Sequence, residues 1–257
     1  MSLSSTFERA RRDGRMALIP FLTAGFPDRD RFWDALASID AAGADVIEIG
    51  VPFSDPVADG PVIEEASRQA LAGGVTLAWL IEGLKARRGS FRADLLLMGY
   101  TNPFLQYGYE RLAEEAAEAG VSGFIVPDMP LEESRTFRAA LARHGETLIP
   151  LVGLNTPLER MRAYAAVSKG FVYVVSTLGT TGGTNTHLDS IADTMRRARE
   201  AFDLPLALGF GLKTPDQLDV LPPDARPDAA VFGSALLDHI GAGRAVEEFF
   251  APWKKKV

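Results

Sequence analysis

The chain has 257 residues, of which 47% are hydrophobic and 24% charged, enough to fill a large core and keep the surface polar. A formal net charge of −7 argues against a general nucleic-acid surface, and the absence of cysteine excludes disulfides, thiolate metal sites and cysteine nucleophiles. The polar, arginine-rich start does not resemble a signal peptide, and no apolar run approaches the roughly 20 residues of a membrane span. We therefore expect a cytoplasmic protein without a membrane segment or a nucleic-acid partner.

Short apolar runs alternate along the chain with longer segments of helical spacing. Parallel strands that are covered on both faces are continuously apolar, and eight runs fit this description: 17–22, 46–49, 95–98, 124–126, 148–152, 171–175, 206–208 and 229–232. Segments of helical spacing follow at 31–42, 109–119, 132–144, 157–166 and 188–202. Eight strand–helix units predict an α/β fold, a single (β/α)8 TIM-barrel domain over residues 1–257, although a doubly wound sheet alternates in the same way.

Two additions to the minimal barrel are predicted. An extra N-terminal helix precedes the first strand, at about residues 3–13. Between the second and third strands there is room for two helices, 61–71 and 77–87, separated by Gly73 and Gly74. The long segment before them, residues 50–60, is rich in Pro, Asp and Ser and is called loop 2 below.

Glu48 is an acidic residue inside the otherwise apolar second strand. A buried acid is costly unless it is paired or used. It is either ion-paired to a neighbouring strand, or a carboxyl whose pKa is raised by burial and which is suited to proton transfer near neutral pH. Loop 2 adds Asp55 and Asp59, and although aspartates beside Pro and Gly often only form turns, two of them just after Glu48 suggest a carboxylate cluster.

Glycines follow three consecutive strands in the second half of the chain. They lie at 178–184, at Gly209-Phe210-Gly211 and at Gly233, where a helix begins with Ser234. Glycines let main-chain N–H groups approach an anion, a helix N-terminus adds its dipole, and barrels often bind phosphate at the last two strand ends. The sequence therefore predicts a phosphorylated substrate.

The remaining residues limit the chemistry. The three histidines, His144, His187 and His239, lie far apart and form no metal-ligand spacing. Lys169 and Lys213 lie outside the strands, where a desolvated Schiff-base lysine is not expected. We therefore expect neither a histidine-bound metal nor a Schiff-base lysine.

Six short motifs invite comparison with known families. They are residues 20–27 (PFLTAGFP), 48–61 (EIGVPFSDPVADGP), 98–103 (MGYTNP), 126–130 (VPDMP), 209–211 (GFG) and 233–235 (GSA). Together they closely resemble the tryptophan synthase alpha chain family, from about residue 7 to residue 249. The motif at 48–61 is highly specific.

The resemblance implies an aldol-type lyase of tryptophan biosynthesis, which cleaves indole-3-glycerol phosphate to indole and glyceraldehyde 3-phosphate without a cofactor. It implies that Glu48 transfers protons at indole C3 and at the adjacent side-chain hydroxyl. Asp59 would hold the indole N–H and stabilise positive charge on the ring, and Tyr173 would lie beside the catalytic acid. Substrate-binding residues by the same resemblance are Phe21, Tyr100 and Ile125 at the indole ring and Gly182, Phe210, Gly211, Gly233 and Ser234 at the phosphate.

The resemblance also implies a partner. The family works with a beta chain, a pyridoxal-phosphate enzyme that receives the indole, in a tetramer of two alpha and two beta chains. Pro52, Asp55 and the loop 179–189 would face this partner. Thr181 matches the threonine of the closing loop that bonds the carboxylate of Asp59.

Two segments depart from the family pattern. The loop at 178–184 carries Leu178 and Thr180 and lacks a following arginine, and residues 152–155 (VGLN) replace a more usual Ala-Pro-Thr. The altered loop motivates an alternative hypothesis, a weakly active or inactive barrel that mainly binds and activates a beta chain. A third hypothesis is a Schiff-base aldolase that uses Lys213.

Overall fold

The computed structural model describes residues 3–176, 185–209 and 211–256. Parallel strands in these ranges form one sheet in the order β5-β4-β3-β2-β1-β9-β8-β7-β6, so that β1 lies between β2 and the last strand, as in a barrel. The strands are β1 (Ala17–Thr23), β2 (Val46–Gly50), β3 (Asp94–Met98), β4 (Val121–Ile125), β5 (Thr147–Leu148), β6 (Leu151–Gly153), β7 (Val172–Val175), β8 (Leu206–Gly209) and β9 (Ala229–Phe232).

The fifth predicted strand is divided into β5 and β6 at Ile149 and Pro150, because proline has no N–H to contribute to a ladder. The chain still joins its neighbours here. The amide of Ile149 donates to the Phe124 carbonyl on β4 at 2.8 Å, and the Pro150 carbonyl accepts from the Tyr173 amide on β7 at 2.9 Å. The main chain at Ile149 and Pro150 therefore links β5 to β6 and closes the ring of strands. The predicted TIM barrel is confirmed, with its fifth strand interrupted.

Helices surround the sheet. They are α1 (Leu3–Arg12), α2 (Arg31–Ala41), α3 (Pro61–Ala72), α4 (Leu77–Lys85), α5 (Thr101–Tyr107), α6 (Tyr109–Ala119), α7 (Arg135–Arg143), α8 (Leu158–Ala165), α9 (Asn185–Ala201), α10 (Ser234–Gly241) and α11 (Val246–Lys256). The predicted extra helices before β1 and after β2 are confirmed as α1, α3 and α4. None of the helices in the described part of the chain combines the length and apolar character that crossing a membrane requires.

Two helices were not predicted from the sequence. Helix α5 is short and has Pro103 in its first turn. Helix α11 contains Pro252, yet it continues because the next residue, Trp253, is fully buried and stacks on Phe232 of β9 with ring centroids 4.4 Å apart. Tertiary packing therefore overrides the local preference against a helical proline.

Side-chain alternation along the strands defines the interior of the barrel. Phe21 on β1 is paired in register with Glu48 on β2, and Glu48 with Leu96 on β3. Because successive side chains of a strand point to opposite faces, Glu48 shares a face with Gly50 two residues further on. All residues of β1 and β2 are buried, which is what strands between an interior and a helix layer require.

Helix α1 closes the N-terminal end of the barrel through paired polar groups. Arg15, just beyond it, makes two contacts of 2.7 Å with the carboxylate of Asp45, which also accepts from the Leu18 amide. The Thr6 hydroxyl donates to Asp94 at 2.7 Å. These buried acids are satisfied, as burial demands.

Glu146 at the same end is not satisfied. Its side chain is only 5% exposed, and neither carboxylate oxygen has a hydrogen-bond partner in the described part of the chain. Burial raises the pKa of Glu146 from 4.5 to about 9. The folded state therefore favours the neutral acid, whereas the unfolded chain ionises it, so folding loses stability as the pH rises between these two values.

We predict that Glu146→Gln, which cannot ionise, weakens this pH dependence. The stability difference between variant and wild type should be smallest near pH 4 and grow towards pH 8 by up to about 1.4 kcal/mol per pH unit. Urea unfolding at several pH values measures it. Parallel stability curves for the two proteins would contradict the prediction, because they would mean that ionisation of Glu146 is not linked to folding.

Candidate active site

Glu48 and Tyr173 face each other across the barrel interior. Their strands, β2 and β7, are separated in the sheet by β1, β9 and β8, so their interaction passes through the space that the strands enclose. Burial, and secondarily the charge of Glu48, raises the pKa of Tyr173 well above its ordinary value. The tyrosine therefore stays protonated beside the acid.

Glycines make room for the aromatic rings of this interior. A Cβ at Gly209 would lie 2.5 Å from the Tyr173 hydroxyl oxygen, and a Cβ at Gly50 would lie 2.3 Å from the Phe21 ring. Both distances are far below any normal contact. The rings of Tyr173 and Phe21 therefore lean over positions that only glycine can occupy, and they form an apolar wall around Glu48.

Glu48 is enclosed by this wall. Its side chain is 1% exposed, and its Oε2 atom has no hydrogen-bond partner among the described residues. Burial, and then the negative charge of Asp59, raises the pKa of Glu48 from 4.5 to about 8. At neutral pH the group is thus mainly a neutral acid with a free oxygen, which is the form that can donate a proton.

Asp59 lies in loop 2 and is partly buried. Burial raises the pKa of Asp59, a hydrogen bond from the Tyr100 hydroxyl opposes that rise, and the charge of Glu64 adds to it. The same hydroxyl accepts a hydrogen bond of 3.1 Å from the Ala58 amide. Asp59 thus has a hydrogen-bond donor in Tyr100, whereas Oε2 of Glu48 has none among the described residues, and the two carboxyls lie in different environments.

The other predicted ring contacts lie nearby in the sheet. Tyr100 follows β3 and is 3% exposed, and its ring centroid lies 5.3 Å from that of Phe53 in loop 2. Ile125 is fully buried at the end of β4, in register with Met98 of β3. The sequence did not single out Phe53 for this site.

The predicted phosphate residues are described in part. Gly211 has a φ of 95°, a left-handed conformation that suits glycine. Gly233 is the N-cap of α10, which begins at Ser234, and a Cβ at Gly233 would lie 3.0 Å from the Cβ of Phe21. Thr181, Gly182 and Phe210 lie outside the described residues, as do Leu178 and Thr180.

The two residues predicted to face a partner differ in exposure. Pro52 is buried at the start of loop 2, whereas Asp55 is exposed and accepts a hydrogen bond from the Ser54 hydroxyl. Val57, two residues after Asp55, is 79% exposed.

No metal-ligand cluster of three or more His, Cys, Asp or Glu side chains occurs among the residues that the structure describes. His144 is exposed, and the ring Nε2 of His239 lies 2.7 Å from the Ala245 carbonyl oxygen at the end of α10.

Comparison with known proteins gives a consistent result. The family model of the tryptophan synthase alpha chain matches residues 7–252. The tryptophan synthase alpha chain of Desulfovibrio desulfuricans is 62% identical over 98% of this chain and 99% of its own length, and that of Nitratidesulfovibrio vulgaris is 56% identical over 99% and 98%. A solved tryptophan synthase structure from M. tuberculosis in an open form superposes with a TM-score of 0.89 at 30% identity, covering 99% of this chain and 98% of that one.

These matches span nearly the whole chain and agree with the motifs from which the resemblance was inferred. They favour the enzyme over the alternative of a barrel that only binds a partner. The chain belongs to the tryptophan synthase alpha chain family and is a lyase that cleaves indole-3-glycerol phosphate in tryptophan biosynthesis.

Proposed function

We propose that Glu48 is the proton-transferring group of this cleavage. The observation that carries the proposal is a buried carboxyl that faces Tyr173 inside the barrel, lies near the charge of Asp59 in loop 2, and has one oxygen without a hydrogen-bond partner in the part of the chain that the structure describes. The neutral acid donates its proton to C3 of the indole ring. The resulting carboxylate then removes the proton of the side-chain hydroxyl. The C–C bond breaks, its electron pair returns to the ring, and the aldehyde of glyceraldehyde 3-phosphate forms while Glu48 is neutral again.

Asp59 has the complementary role in this proposal. Protonation at C3 puts positive charge on the indole ring, and a nearby carboxylate that accepts the ring N–H stabilises that charge. The carboxylate must be ionised to do so, and the hydrogen bond from Tyr100 favours its charged form. Two carboxyls in different environments can thus divide the work at one pH.

Substrate binding follows from the surrounding residues. Phe21, Tyr100 and Ile125 would contact the indole ring, and Tyr173 would lie beside Glu48. The phosphate would bind at Gly182, Phe210, Gly211, Gly233 and Ser234, mostly through main-chain amides. Support comes from the N-terminus of α10 at Ser234, where free N–H groups and the helix dipole favour an anion.

The proposed assembly has two alpha and two beta chains, with Pro52, Asp55 and the loop 179–189 at the beta chain. Asp55 and Val57 are both exposed, so their side chains are accessible to a partner. Thr181 would bond Asp59 when the loop closes. We further propose that the chain folds as one domain and acts in the cytoplasm, in keeping with its lack of cysteine.

Replacing the proposed acid tests the mechanism. Glu48→Gln keeps the size of the side chain but cannot exchange a proton, so kcat should fall by about 10²- to 10⁴-fold with KM little changed. Steady-state assays of indole release with purified protein measure both constants. Glu146→Gln is the matched control, because it neutralises another buried glutamate at the opposite end of the barrel, and it should keep wild-type activity. Wild-type turnover in Glu48→Gln would remove Glu48 from this role.

The pH profile of kcat/KM should fall on both sides, because Glu48 must be protonated and Asp59 must be ionised. We expect kcat/KM to fall as the pH rises through about 8, because the neutral acid form of Glu48 is lost. It should also fall at low pH, where Asp59 becomes protonated and can no longer stabilise positive charge. The profile measured between pH 5 and 10 checks this, and activity that rises steadily above pH 8 would contradict it.

A further inference from the structure

Tyr100 connects the end of β3 to loop 2 through one oxygen atom. Its hydroxyl accepts the Ala58 amide at 3.1 Å. The carboxylate of the next residue, Asp59, lies close enough to the same hydroxyl that hydrogen bonding between them lowers the pKa of Asp59 and raises that of Tyr100. A tyrosine hydroxyl has a single hydrogen to donate. Because an amide can only donate, Ala58 occupies a lone pair of the oxygen, and the hydroxyl hydrogen is left available for Asp59.

The hydroxyl also stays protonated in this position. Burial, and then the charge of Asp59, raises the pKa of Tyr100 above its ordinary value, in spite of the Ala58 hydrogen bond that lowers it. Tyr100 is therefore a donor at every pH at which the enzyme would work. The position of the Tyr100 ring and backbone then determines where this donor lies.

Asp128 fixes the backbone next to Tyr100. Tyr100 is the N-cap residue of α5, but its own side chain makes no capping hydrogen bond. The cap comes from Asp128 in the loop after β4, whose Oδ1 accepts the Thr101 amide at 2.9 Å and the Thr101 hydroxyl at 3.0 Å. A carboxylate at a helix N-terminus is favourable because it satisfies a free N–H and faces the positive end of the dipole.

We propose that Asp128 and Thr101 are positioning residues, which hold Tyr100 so that its hydroxyl keeps the Asp59 carboxylate in place for charge stabilisation. Three segments are joined in this way: the loop after β4, the start of α5 and loop 2. Neither positioning residue needs to contact the substrate. The proposal rests on the proposed role of Asp59.

The first test compares pH profiles of kcat/KM. Tyr100→Phe keeps the ring and removes the hydroxyl, so Asp59 loses the donor that favours its charge and the acid limb of the profile should move to higher pH. We expect kcat/KM at pH 6 to fall by about tenfold more than at pH 7.5. Asp128→Ala should shift the acid limb in the same direction, but by a smaller amount than Tyr100→Phe. Asp128→Asn should leave the acid limb at its wild-type position, because the amide oxygen of asparagine still accepts from Thr101.

Asp40→Ala is the matched control. Asp40 also accepts two hydrogen bonds with one oxygen, from the amides of Arg92 at 2.9 Å and Ala93 at 2.8 Å, but at the opposite end of β3. Its loss should destabilise the fold without moving the acid limb. A shift of the limb in Asp40→Ala equal to that in Asp128→Ala, or an unshifted limb in Asp128→Ala, would overturn the proposal.

A double-mutant cycle checks that Asp128 acts through Tyr100. In the Tyr100→Phe background, Asp128→Ala should have no further effect on the limb, whereas independent effects would add and would refute the connection. Asp59→Asn separates the two levels of inference. Wild-type turnover in Asp59→Asn would overturn both the role of Asp59 and the positioning proposal. A severe loss of turnover in Asp59→Asn, together with wild-type pH profiles in Tyr100→Phe and Asp128→Ala, would overturn the positioning proposal alone.

Discussion

A carboxyl group buried inside a barrel limits the side chains that the surrounding strands can place next to it. Glu48 is buried away from water, and its Oε2 atom has no hydrogen-bond partner within residues 3–176, 185–209 and 211–256. Burial and the nearby charge of Asp59 both oppose its ionisation. The apolar wall that causes this requires space, and Gly50 and Gly209 provide that space for the rings of Phe21 and Tyr173. Packing around Glu48 therefore favours the neutral form of its side chain, and no ion pair with Glu48 occurs among the residues that the structure describes.

The second carboxyl shows how the same fold produces the opposite result. Asp59 lies on a loop rather than in a strand, and the Tyr100 hydroxyl stabilises its charge. The loop itself is tied to the sheet by the Ala58 amide, so the position of Asp59 depends on a tyrosine that follows β3. Glu48 and Asp59 are a few residues apart, but one lies in a strand and the other in a loop. Their carboxyl groups therefore have different surroundings and different chemistry.

Much of the fold was predictable, because buried parallel strands are continuously apolar and the units repeat. The interruption at Pro150 was not expected, since an apolar run that includes a proline still looks continuous by hydropathy. The carboxyl pair could be found because Glu48 breaks an apolar pattern and Asp59 follows closely. The Tyr100–Asp59 and Asp128–Thr101 contacts join segments that are distant in sequence, and no local pattern marks them. Glu146, between Gly145 and Thr147, resembles an ordinary turn residue, and only the structure reveals its burial.

The interrupted fifth strand limits where the hydrogen-bond ladder of the sheet is broken. Ile149 and Pro150 separate β5 from β6, and β1 is the middle strand of the order that runs from one to the other. The strand that carries Glu48 is a neighbour of β1 and is paired on both sides, with β1 through Phe21 and with β3 through Leu96. The buried carboxyl is consequently attached to an unbroken stretch of the sheet, remote in strand order from the interruption.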